Sequence, residues 1–185
     1  MIKNKNFVLN LLVVIFISNF VSCDSEPPVF DKSKLIGSYT GECTILLGSK
    51  SEVVSNFPAE FRQYTQNLSF NIGDFASYES TGIMATKMAS EFKDYGSYAG
   101  FTLDGFNEIF GIEQIPNFIK ENISLTWDMR SMTLKLNTDS KNPPKYMIAS
   151  KNLTFTYTGI IEISGKNLGE NYSSPITYKF NLNKK

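Results

Sequence analysis

In Leu153-Thr154-Phe155-Thr156-Tyr157-Thr158-Gly159-Ile160-Ile161-Glu162-Ile163, apolar and polar side chains trade places at almost every step. Successive residues of a strand point to opposite faces, so this spacing predicts a strand with one buried and one wet side. Leu153, Phe155, Tyr157, Gly159, Ile161 and Ile163 share the inner face, and Thr154, Thr156, Thr158 and Glu162 the outer. The same rhythm sets Ile176, Tyr178, Phe180 and Leu182 against Thr177, Lys179, Asn181 and Asn183. Gly165 to Ser174 reads as the polar loop between the two strands.

Upstream, Ile123, Leu125, Trp127 and Met129 alternate with Ser124, Thr126, Asp128 and Arg130. After Arg130-Ser131 the pattern restarts with Met132, Leu134 and Leu136, which predicts a tight hairpin at that pair. Leu35 to Leu47 places Gly37, Tyr39, Gly41, Cys43 and Ile45 at alternate positions, a strand whose glycines permit a bend or a bulge. Leu68, Phe70 and Ile72 suggest another strand, and Tyr146 to Ile148 one more after the Asn142-Pro143-Pro144 break. The expected class is mainly β, an antiparallel meander that forms a barrel or a strongly curved sheet.

Residues 74–118 read differently. Ile83, Met84, Met88 and Phe92 recur at helical spacing and predict a helix over Thr81 to Lys93. A short helix is expected around Phe106 to Phe110, after the Asp104-Gly105 turn signal. The rings of Tyr95, Tyr98, Phe101 and Phe106 suit either a plug packed on the sheet or an exposed recognition surface.

The N-terminus carries Lys3 and Lys5, then an apolar run from Phe7 to Val21 interrupted by Asn10, Ser18 and Asn19, then Ser22 and Cys23. A spanning helix needs about 20 apolar residues, so an export signal fits better than a membrane span. Phe20-Val21-Ser22-Cys23 resembles the lipobox of bacterial lipoprotein precursors, with Phe20 where that family usually has Leu. The resemblance implies cleavage after residue 22, lipid on Cys23 and attachment to the outer membrane, facing the periplasm or the cell surface. Residues 23–31, with two prolines in Asp24-Ser25-Glu26-Pro27-Pro28, then form a short tether to one β-rich domain over 32–185. Asp24 and Glu26 resemble the acidic surface-export signals of Bacteroidota lipoproteins.

Leu35-Ile36-Gly37-Ser38-Tyr39-Thr40-Gly41, with meandering strands up to residue 185, is similar to the calycin-like or lipocalin-like lipoproteins of Bacteroidota. That resemblance implies a barrel over about residues 32–185. The segment from about Asp74 to Phe118 departs from a simple lipocalin meander.

Lys and Arg balance Asp and Glu at 18 each. There is no basic stripe to release counterions from phosphates, so nucleic acid is not an expected partner. Lipidation of Cys23 leaves Cys43 as the only thiol of the mature chain, and its apolar surroundings predict a small buried hydrophobe. The chain contains 0 His, which removes the commonest general base and metal ligand. No cofactor fingerprint or metal-ligand set is legible. Asp74, Glu79, Asp94, Asp104, Glu108 and Glu113 are the one carboxylate group that could serve a glycoside hydrolase, and solvated surface acids are the simpler reading.

Non-catalytic binding at the envelope is therefore the expected function. One form is a small apolar ligand inside the barrel, against Trp127, Phe155, Tyr157, Tyr178 and Phe180. The other is recognition of a glycan or an envelope protein by the exposed rings of Tyr95, Tyr98, Phe101 and Phe106.

Overall fold

The computed structural model describes residues 26–123, 129–165 and 172–185. Residues 1–25, which include the expected export signal and Cys23, lie outside the described residues, as do Trp127 and most of the loop before Tyr172.

Ten strands form one antiparallel sheet: β1 Gly37–Leu47, β2 Lys50–Tyr64, β3 Asn67–Ile72, β4 Ala85–Asp94, β5 Tyr98–Leu103, β6 Phe106–Gly111, β7 Met129–Thr138, β8 Lys145–Met147, β9 Asn152–Gly165 and β10 Tyr172–Lys184. Two short helices, α1 Phe75–Thr81 and α2 Asn117–Asn122, accompany it. The strand order is β10-β1-β2-β3-β4-β5-β8-β9-β7-β6, and β10 also pairs with β9. The pairings thus close a ring through β8, while β7 and β6 branch from the second half of β9, whose residues from Tyr157 to Gly165 face β7. Closing a sheet on itself removes the edges that amphipathic strands would otherwise expose.

Alternation is obeyed where it is cleanest. Leu153, Phe155, Tyr157, Ile161 and Ile163 of β9 are buried, as are Ile176, Tyr178, Phe180 and Leu182 of β10. In β1 the register shifts at Gly41/Glu42, opposite Asn56 of β2, whose φ is 58°. A side chain at Gly41 would run into the Asn181 carbonyl, so glycine lets β1 and β10 approach closely.

Residues 74–118 carry helix α1 and the start of α2, but the helices expected within them lie elsewhere, since most of residues 85–111 belong to the sheet. Thr81 to Lys93 is not a helix: α1 ends at Thr81, and the rest leads into β4. Ala89 and Phe92 both point inward although three residues apart, because Glu91 takes φ 54° and the β4–β5 register shifts between Ser90 and Lys93. A β-bulge therefore imitates helical spacing. Phe106 to Phe110 is likewise strand β6, paired with β7. Its two inward phenylalanines stand four apart, an interval that a strand and a helix both place on one face.

No turn occurs at Arg130-Ser131. Strand β7 runs through that pair, and a register shift between Met129 and Ser131 resets the alternation. Strand β2 was not evident from sequence because Pro58 and the bulge at Asn56 break its pattern, yet Phe57, Ala59 and Phe61 are buried on its inner face.

Both ends of the ring are covered. At one end α1 is N-capped by Asp74, whose carboxylate accepts the Ser77 amide at 2.9 Å, and it stops at left-handed Gly82. At the other end, residues 28–30 cross β4 as a strap. Asp94 N donates to the Pro28 carbonyl at 2.7 Å, Phe30 N donates to the Phe92 carbonyl at 3.2 Å, and Val29 bridges Lys93. Phe30 is only 2% exposed and packs its ring 6.3 Å from that of Tyr146.

Candidate functional site

Four of the five rings suggested for an internal ligand are described; all four are buried, and Phe155, Tyr157 and Phe180 pack on one another. Phe155 and Phe180 stack at 4.3 Å, Tyr157 meets Phe155 edge-on at 5.8 Å, and Phe57 and Phe70 lie 5.3 Å from Phe180 and 5.6 Å from Phe155 respectively. Such offset and edge contacts are the preferred geometry of a filled aromatic core. The tyrosine hydroxyls already have partners. Tyr157 donates to the Asp104 carbonyl at 2.7 Å and Tyr178 to the Thr81 carbonyl at 2.9 Å. Tyr39 does the same with Leu35, at 2.7 Å. Desolvation pushes the phenols of Tyr157 and Tyr178 far above the ordinary tyrosine range. They are structural donors rather than groups waiting for a ligand.

Of the rings suggested for surface recognition, Phe101 and Phe106 are corrected to core residues. Phe101 packs on Phe92 and Phe61, and Phe106 lies edge-on to Tyr157 at 4.9 Å. Alternation along β5 explains this, because Ala99, Phe101 and Leu103 share its inner side. Tyr95 and Tyr98 stay at the surface, stacked at 4.8 Å in the β4–β5 turn. The Lys145 ammonium lies 5.5 Å from the Tyr98 ring centre, a cation–π geometry.

Beside this pair lies a groove of about 650 Å³ between the strap and strands β3 and β4, lined among others by Val29, Phe30, Lys32, Asn67, Phe92 and Lys93. Its size falls within the range of about 300–1,000 Å³ typical of ligand sites. The Lys32 ammonium donates to the Gln66 carbonyl across it. Sequence reading missed the groove, since it arises from the strap folding back on β4 and no local pattern in residues 26–32 announces that pairing.

The carboxylates are distributed, and four of the six have a local task. Asp74 caps α1, Asp94 accepts the Gly96 amide at 2.7 Å, Asp104 accepts the Met88 amide at 3.4 Å, and Glu108 pairs with Lys87 at 3.3 Å. Glu79 and Glu113 are exposed. Among the described residues, no three Cys, Asp or Glu side chains converge as metal ligands would. Cys43 is fully buried, and desolvation raises its thiol well above the usual range.

The two ends of the ring differ chemically. The strap end gathers Lys32, Lys34, Lys93, Lys145, Lys151 and Lys184 around the turns of β2–β3, β4–β5 and β8–β9, with Asp31, Glu91 and Asp94 among them. The helical end carries Glu52, Asp74, Glu79, Glu113 and Glu121, with Lys50 and Lys120 among them. There Glu52 titrates above the ordinary carboxylate value, first through desolvation and then through the charge of Glu121. Phe75, 80% exposed, and Ile109, 75% exposed, lie toward this end.

No family model, characterised protein or solved structure matches this chain.

Proposed function

We propose that the chain is a lipid-anchored, non-catalytic binding module of the cell envelope, held at the outer membrane through Cys23 and engaging a protein or glycan partner with its outer surface. The observation that carries this reading is the exposure of Phe75 and Ile109 toward the end opposite the strap. Large apolar side chains left in water away from the anchor suit contact with a partner. A small apolar ligand inside the barrel has less support, because Phe155, Tyr157 and Phe180 already pack on one another and the buried Tyr178 hydroxyl is taken by Thr81. Hydrolysis has less still, since the acids are spread over separate helices, strands and turns.

The anchor is tested by Cys23→Ala, which is expected to leave an unprocessed precursor without lipid label; normal labelling would refute it. The binding surface is tested in intact cells with a photo-crosslinking residue in place of Phe75 or Ile109, and in place of the exposed barrel-wall residue Lys179. Adducts at the first two positions and not at the third are expected. Equal adducts at all three, or none, would sink the reading.

A further inference from the structure

The strap fixes how far the folded body can stand from its anchor. Pro28 is already bonded to Asp94, so only four residues, five steps of chain, separate it from Cys23. Fully extended chain covers at most about 3.5 Å per residue, so that interval spans no more than about 17 Å. Given the lipid on Cys23 proposed above, on which this step rests, the strap is kept within that distance of the bilayer while the body stays free to tilt.

The surface brought to the lipid has matching chemistry. Val29 is 86% exposed and bridges Lys93, and Tyr95, 45% exposed, follows Lys93 by two positions and stacks on Tyr98, which lies under Lys145. Tyrosine favours the boundary between headgroups and acyl chains, where its ring is shielded and its hydroxyl stays wet. Lysine stems can lie along apolar surface while the ammonium reaches outward. Asp31 and Asp94 at this end are engaged locally, accepting from Ser33 and Gly96. Glu26 and Glu91, which both line the groove beside the strap, remain as opposing charges.

We infer that the strap end is a membrane-contact face, with Val29, Tyr95 and Tyr98 seated at the headgroup level of a bilayer containing anionic phospholipid and Lys93 and Lys145 meeting its phosphates. The lipid supplies attachment and this face supplies orientation.

The full-length lipidated protein, reconstituted in vesicles of phosphatidylcholine mixed with phosphatidylglycerol, tests it. A fluorophore is placed through Ser97→Cys in the β4–β5 turn or through Ser49→Cys in the β1–β2 turn at the other end; Cys43 is buried and stays unlabelled. Nitroxide-headgroup lipid should quench the Ser97 position severalfold more than the Ser49 position. That contrast should collapse at high salt and in the Tyr95→Ser/Tyr98→Ser/Lys93→Glu variant. Equal quenching at the two positions, or a contrast unchanged in pure phosphatidylcholine, overturns the proposal. An unshifted mass at Cys23 would remove the anchor and this inference with it, and is told apart from a failed contact face by the protein's absence from the vesicles.

Discussion

The Tyr178 hydroxyl donates to the Thr81 carbonyl at 2.9 Å, joining strand β10 to the last residue of helix α1 across 97 positions of sequence. Both groups are buried, so each would be orphaned without the other. Tyr178→Phe should therefore lower stability by about 1–3 kcal/mol. Urea denaturation is the measurement, and Tyr64→Phe at an exposed ring should leave the midpoint unchanged.

Alkali should unfold the protein cooperatively. The unfolded chain releases its cysteine proton near pH 9 and its tyrosine protons near pH 10, whereas burial makes folded Cys43, Tyr157 and Tyr178 retain theirs. Stability from these groups is complete below those values and falls above them, by about 1.4 kcal/mol per pH unit for each group. Unfolding free energy measured against pH should bend downward near pH 9 and more steeply above 10, and Cys43→Ala should remove the first bend.

Phe30 closes one end of the ring, so Phe30→Ala should cost about 3–5 kcal/mol, the range for emptying a buried phenylalanine site. The strap should also lose its hold on β4. Limited proteolysis would then cut ahead of Leu35 much faster than in the native protein, whereas Val29→Ser should change little.

A methyl group at Gly159 would collide with the Lys135 carbonyl on β7. Gly159→Ala should accordingly destabilise by at least about 1–3 kcal/mol through forced displacement of backbone. Gly111→Ala, which would meet only the Gln114 side chain at 3.5 Å, should be tolerated, and thermal melting separates the two.

How much was legible follows from where parity is kept. Strands β3, β9 and β10 keep their buried residues on alternate positions, and their patterns read directly as strands. Bulges at Glu91 and between Met129 and Ser131 each add one residue, which made β4 look helical and β7 look like a hairpin. Phe101 and Phe106 could not be told from surface rings, because their inward direction depends on the β5 and β6 registers. Tyr95 and Tyr98 sit in a turn and remained at the surface, yet their position beside the strap depends on the long-range pairing of Val29 with Lys93. Long-range register is the information a local pattern lacks.

Strand β10 lies between β1 and β9, with Cys43 opposite Phe180 on one side and Phe155 opposite it on the other. Strand β10, synthesised after β1 and β9, is thus the keystone between them. Until it arrives, two neighbouring rims have unmatched amides, and a threaded, incomplete polypeptide has no way to lock prematurely. A shortened product ending before Tyr172 would leave both rims sticky and should be cleared or clump rather than persist.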